Sequence, residues 1–307
     1  MSLLWMLPSP RIVPPLEPSF RPPVLANRTF SGAVKASGGG VPLILALERG
    51  DGSVSCFETR VFDEEHPQSA SNTFYTERLL KFLLWQRGAC RVHVGGPRSV
   101  GAYLQKFYQP NGLREFDYRF MGESVYEKPF SVVSCAAEDV PVEKESSVPL
   151  GRHLEGCRIG FDLGASDRKA SAVIDGEAVY SEEVVWEPAK HTDPSYHFYE
   201  VMTGIKTAAS KMPRLDAIGG SAAGVYVNNR AMVASLFRGV PKDRFHEVHD
   251  LFLRIGREMG VPLTIVNDGE VTALAGSMSL GDNGVLGVAL GSSEAGGYVN
   301  LEGNITG

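Results

Sequence analysis

The sequence predicts an α/β protein: a mixed sheet flanked by helices, preceded by a separate, smaller α/β module. Three observations carry the prediction. Short Val-, Ile- and Leu-rich runs alternate with longer amphipathic stretches along the chain. A segment rich in proline, serine and charge, "EDVPVEKESSVPLGRHLEG", interrupts that alternation near residue 150. A chain of 307 residues with 43% apolar content is also long enough for two domains.

In order, residues 1–38 contain "MSLLWMLPSPRIVPPLEPSFRPPVL", whose prolines break any signal-peptide core or membrane helix, and they read as a disordered tail. Residues 39–150 form the first module, of no assigned role. "VPLILALERGDGSVSCFETRVF" is two apolar runs around Gly-Asp-Gly, hence a hairpin. "NTFYTERLLKFLLWQRG" is a helix opened by Asn72 or Thr73 and closed near Gly88. "RVHVGG" is a strand, "SVGAYLQKFY" a helix, and "REFDYRFMG" and "YEKPFSVVSC" two further β-like runs. Gly95-Gly96 at a strand-to-helix turn would let backbone amides approach a phosphate, but a plain tight turn is the stronger reading of two glycines.

Residues 151–283 read as a lobe with three strands, "CRIGFDL", "KASAVID" and "EAVYSEEVVW", the last two joined by Asp175-Gly176. A helix over 196–211, the strand "DAIGGSAAG", the amphipathic helix "KDRFHEVHDLFLRIGREMG" and the strand "PLTIVND" follow. Residues 284–307 open a second lobe with the hairpin "GVLGVALGSSEAGGYVNLEGN".

Composition narrows the function classes. A net charge of −6 disfavours non-specific capture of nucleic acid, and no basic recognition helix stands out. Four cysteines, Cys56, Cys90, Cys135 and Cys157, form no CxxC pair, so neither a zinc site nor a disulfide framework is suggested. No apolar run has the length of a membrane span. A soluble cytoplasmic protein without nucleic-acid or membrane partners is expected; a homo-oligomer is left open.

The chemistry concentrates in the second half. Asp162 ends a buried-looking strand, and such a carboxylate needs a partner or a task. Gly164 and Ser166 follow in its turn. Asp268 ends a later strand, and ligands of α/β sheets gather outside the carboxyl ends of strands. Phosphoryl transfer needs Mg²⁺ near the phosphates, amides around them, and a carboxylate to accept the proton of an attacking hydroxyl. Asp162 would hold hydrated Mg²⁺, Asp268 would be the base, and Gly164, Ser166, Gly291, Ser292, Ser293, Gly296 and Gly297 would form two phosphate loops. The competing structural readings are a strand-end cap for Asp162, an N-cap for Asn267-Asp268, a helix-dipole role for Glu270 and a tight turn at Asn228-Asn229. His246 and His249, three apart, read as a solvated helix face rather than a metal pair.

"IGFDLGASDRKASAVIDGE", "AIGGSAAGVYVNN", "VNDGEVTALAG" and "GVALGSSEAGGYVNLEGNITG" resemble, in order, motifs of the ROK family (repressor, open reading frame, kinase) of sugar kinases and regulators, over roughly residues 156–307. The resemblance implies an actin-like ATPase (ribonuclease H-like) fold, ATP and Mg²⁺ as cofactors, a small sugar as substrate, and Asp268 as catalytic base with Asn267 on the sugar; Asn228 and Glu270 are the further sugar-contact candidates. The chain departs from the family pattern at Ala165, Ser166 and Asp167, where the family has Gly, Thr and Lys. It departs again at Ser293, Glu294 and Ala295 in the second loop. Arg168 and Lys169 are expected to offset the added carboxylate of Asp167. The family continues past the equivalent of Gly307 with a Glu-x-Gly-His motif and a cysteine-rich zinc site, so a fragment of a longer product is expected. The leading expectation is an ATP-dependent carbohydrate kinase, with a non-catalytic sugar or nucleotide sensor as alternative and a structural or partner-binding protein as the third reading.

Overall fold

The computed structural model describes residues 3–145, 147–291 and 294–306. Backbone contacts divide the chain into two units, Met1–Glu145 and Ser146–Gly307.

In the first unit Pro23 opens helix α1 (Pro23–Ala36), where its missing N–H costs no hydrogen bond. Ala26, Phe30 and Val34 recur every four residues on its buried stripe, and Phe30 stacks on Tyr75 at 4.1 Å. Within the disordered tail expected over 1–38, residues 23–36 form this helix instead: the prolines precede and start it rather than interrupt it. Strands β1 (Val41–Glu48) and β2 (Val54–Val61) form the expected hairpin. Helix α2 (Ala70–Arg87) begins before Asn72, whose buried amide instead pairs with both the N–H and the C=O of Phe62 (3.0 and 2.8 Å).

Strand β3 (Arg91–Gly95) leads to α3 (Arg98–Phe107). The Ser99 amide at the start of α3 donates to Glu64 Oε1 at 2.8 Å, so a carboxylate of the chain already sits where a phosphate was weighed. "REFDYRFMG" is not a strand. It forms α4 (Glu115–Arg119) and a π-helical turn over Phe120–Val125, because Arg119 bonds both Glu115 and Glu123 one turn away on either side and Phe116 stacks on Phe120. Strand β4 (Ser131–Cys135) completes a sheet of order β2-β1-β3-β4.

The second unit opens with β5 (Ser147–Val148), within the predicted linker, then β6 (Cys157–Leu163), β7 (Asp167–Ile174) and β8 (Glu177–Val185). Helix α5 (Pro194–Ala209) is capped by Asp193, which accepts from the Ser195 amide. Strand β9 (Ala217–Ala222) precedes a small hairpin of β10 (Val225–Val227) and β11 (Arg230–Val233). The single helix expected over 242–260 breaks at Asp250 into α6 (His246–His249) and α7 (Leu251–Met259). Strand β12 (Leu263–Val266) feeds α8 (Asp268–Leu280), followed by β13 (Val285–Leu290), β14 (Glu294–Val299) and β15 (Ile305–Thr306).

The main sheet runs β12-β9-β6-β7-β8. Strand β6 is antiparallel to β7 and parallel to β9, and β9 is parallel to β12. This mixed sheet flanked by helices is the α/β lobe the sequence predicted. Period-two alternation sends Ile159, Phe161 and Leu163 of β6 into a core with Val201 and Ile205 of α5 and Phe252 of α7, leaving Gly160 and Asp162 on the opposite face. The remaining strands form a second sheet of order β13-β14-β15-β5, on whose β13 and β14 helix α8 packs.

Candidate functional site

A cavity of about 990 Å³ lies between the free face of β6, β9 and β12 and the first turns of α8. Its charged lining consists of Asp162, Asp167, Asp268 and Lys169. The parallel registration of β6 with β9 sets Asp162 beside Ser221, whose hydroxyl donates to Asp162 Oδ1 at 2.7 Å. The antiparallel registration with β7 sets it opposite Lys169, with Nζ 4.0 Å from Oδ2. Asp162 is therefore oriented by one neighbour and electrostatically matched by the other, while its carboxylate stays about half exposed to the cavity.

The turn after β6 is tightly closed. The Gly164 amide donates to the Asp167 carbonyl at 2.9 Å, and Trp186 fastens the turn from β8's end: its indole N–H donates to the Gly164 carbonyl (2.9 Å) and its amide to that of Ser166 (3.0 Å). Inside the turn, Asp167 Oδ2 accepts from Ser166 Oγ (3.0 Å) and Oδ1 from Lys169 Nζ (2.6 Å). The Lys169 ammonium, followed by the Ser166 hydroxyl, holds the Asp167 carboxyl below its ordinary range; Asp167 in turn pushes the Lys169 ammonium up. Arg168 does not offset Asp167 as expected. It points to the other face of the sheet, buried, with Glu182 (2.9 Å) and Glu200 (3.0 Å) as its partners, since successive side chains of a strand alternate faces.

Asp268 is the first residue of α8, where helix-terminal amides favour a negative charge. Tyr226 lies close enough that burial, with the Asp268 charge second, pushes its phenol above the usual range. Helix α8 starts with a full capping box: Asn267 Oδ1 accepts from the Gly269 amide (2.8 Å) and Glu270 Oε2 from the Asn267 amide (3.0 Å). Burial raises the Glu270 carboxyl, with the Asn267 N–H pulling the other way.

Asp162, Gly164, Asp268 and Gly291 thus line one cavity, and Ser166 stands in the turn beside it. The other sequence candidates are placed differently. Asn267 bonds the cap through its carbonyl and the Gly224 carbonyl through its NH₂ (2.8 Å), and Glu270 completes the box, so both have helix-start roles. Asn228 sits in the β10–β11 turn at φ 51°, outside the cavity lining. Gly296 and Gly297 lie within β14 rather than in a phosphate loop, and for Gly297 there is a packing reason. A Cβ on Gly297 would lie 2.4 Å from Glu270 Cα, and one on Gly269 2.7 Å from the Gly296 amide nitrogen. Backbone meets backbone there, and only glycine fits. Ser292 and Ser293 lie outside the described residues.

Among the described residues no group of three or more His, Cys, Asp or Glu is arranged to hold a metal ion, and no helix is long and apolar enough to cross a membrane. Ser221 and Tyr226 were missed from the sequence. The signal for Ser221 was a lone hydroxyl in the small apolar run "AIGGSAAG", but its pairing with Asp162 depends on strand order.

No protein-family model matches the sequence, and no curated protein gives a significant sequence match. Solved structures do match part of it. The ROK hexokinase of Thermus thermophilus is 18% identical, with 48% of this chain and 47% of that one covered at a TM-score of 0.39. The glucokinase of Parabacteroides distasonis is 19% identical, covering 50% and 46% at 0.38. A ROK-family transcriptional regulator, a homologue of the E. coli MLC protein, is 17% identical, covering 50% and 38% at 0.39. The chain spans at most about half the length of these proteins, and at such identities and scores its site stands on its own residues. About half of the chain, then, is similar to kinases and to a regulator of the ROK family.

Proposed function

We propose that the second unit carries the reacting groups of an ATP-dependent carbohydrate kinase, which moves the γ-phosphoryl group of ATP to a sugar hydroxyl. The observation that supports this best is the shared cavity. Two carboxylates from the ends of different strands, Asp162 and Asp268, face one space beside a turn rich in small residues.

The roles differ because the surroundings differ. The Asp268 carboxylate accepts from the Gly269 amide (3.2 Å), and in this reading it accepts the proton of the attacking hydroxyl. The amides at the start of α8 favour its negative charge. Asp162, held by Ser221 and half exposed to the cavity, would hold hydrated Mg²⁺ through one carboxylate together with the substrate phosphates. That ion, when bound, would screen the charge of the phosphates. Lys169 adds the one positive charge in the described lining, and Gly291 leaves space for the phosphate chain, as a Cβ there would meet nothing within 4 Å.

The test is ADP release by the 307-residue protein with Mg-ATP and a panel of hexoses and N-acetylhexosamines. Sugar-dependent release is expected. Its absence with every sugar, in folded protein that still binds nucleotide or sugar, would favour the second reading, a non-catalytic sensor; the specific support for that one is Asp167, which fills the first loop with a carboxylate.

A further inference from the structure

We infer that Ser166 and Lys169 form an anion seat beside Asp162, and that Asp167 is a built-in competitor for it. The inference rests on the phosphate-handling role proposed above and concerns how that role is regulated.

The geometry carries it. A phosphate oxygen beside this turn would be bound by a hydroxyl and an ammonium. Both are present and both are spent: Ser166 Oγ and Lys169 Nζ each donate to a different oxygen of the same carboxylate, at 3.0 and 2.6 Å. Two oxygens of one anion, bridging two donors, is the arrangement a phosphate would make. Lys169 also lies 4.0 Å from Asp162 and 3.8 Å from Glu183, so it is held at the cavity by three carboxylates. Asp167 and Lys169 both line the cavity, whereas Arg168, between them, is committed to Glu182 and Glu200 on the opposite face.

An arriving phosphate must displace Asp167 from these donors and then remain near its charge. Both effects weaken binding. Removing the charge frees the seat without disturbing the backbone closure, which uses the Asp167 carbonyl and the Trp186 contacts.

The experiment is calorimetric titration of inorganic pyrophosphate, with excess Mg²⁺, into the 307-residue protein, its Asp167→Asn variant, and the double variant Asp167→Asn/Lys169→Met. Thermal melts check folding. Asp167→Asn is expected to bind pyrophosphate about tenfold more tightly than the parent, and the double variant to lose that gain. Equal or weaker binding by a folded Asp167→Asn protein would overturn the inference. So would a gain that survives loss of Lys169, since it would reflect net charge and not a freed seat. No sugar and no turnover enter the measurement, so its failure is separate from failure of the kinase reading.

Discussion

Replacing Gly297 by alanine distinguishes two uses of the glycines in "EAGGYV". The added Cβ would lie 2.4 Å from both Glu270 Cα and the Gly269 carbonyl oxygen, and 2.5 Å from the Glu270 nitrogen. That is roughly 1 Å short of ordinary van der Waals contact. All three atoms are backbone of the first turn of α8, so no rotamer change relieves the clash and the helix must move off β14. Overpacking of this kind costs about 3 kcal/mol. The displaced turn carries Asp268, and a shift near 1 Å in a reacting group lowers a rate by about 10²-fold. Urea unfolding followed by circular dichroism, together with hydrogen exchange of the α8 amides, measures the first effect. Gly291→Ala is the control, with nothing within 4 Å of its Cβ, and its cost should stay within about 0.5 kcal/mol. A Gly297→Ala protein with parental stability and α8 protection, but weakened nucleotide binding, would refute the packing argument and restore the phosphate-loop role.

Three more predictions follow from the same geometry. Arg168→Met should cost about 2 kcal/mol by removing its charged hydrogen bonds to Glu182 and Glu200, as read by denaturant midpoint, with pyrophosphate affinity unchanged; an affinity loss instead would place Arg168 in the site. Asn267→Ala should lower stability by about 1 kcal/mol through loss of the cap, visible as faster exchange of the Gly269 amide. His197 is fully buried, its Nε2 bonded to the Pro188 and Leu236 carbonyls, and burial holds its imidazole below the ordinary histidine value of 6.5. The folded protein then binds fewer protons than the unfolded chain, so the stabilisation is present above pH 6.5 and is lost as pH falls through the folded-state value. Melting temperature across that range should show the loss, and His197→Gln should flatten it.

Local pattern made much of the fold legible. The Gly-Asp-Gly and Asp175-Gly176 turns, the alternation in "CRIGFDL" and the Asn-Asp pair opening α8 each act within a few residues, and their elements lie where the sequence put them. Other features depended on distant partners. "REFDYRFMG" has aromatic strand composition, yet its i,i+4 Arg–Glu pairs and ring stacking make it helical. Arg168 and Lys169 are adjacent charges in sequence, and only the sheet shows that Lys169 faces the cavity and Arg168, buried, a pair of part-exposed glutamates. Gly297 looked like a loop residue because close backbone packing and phosphate approach both demand glycine. Ser221 became part of the site only through the parallel pairing of β9 with β6.

In the proposed reaction the cavity phosphorylates a hydroxyl with Asp268 as base. The most direct test is transfer of labelled γ-phosphate from Mg-ATP to sugar, measured side by side for the parent protein and Asp268→Asn under identical folding checks. Labelled sugar phosphate is expected from the parent, with a loss of at least about 10²-fold in the variant. Equal transfer by both proteins, or none by the parent with any sugar, would contradict the proposal.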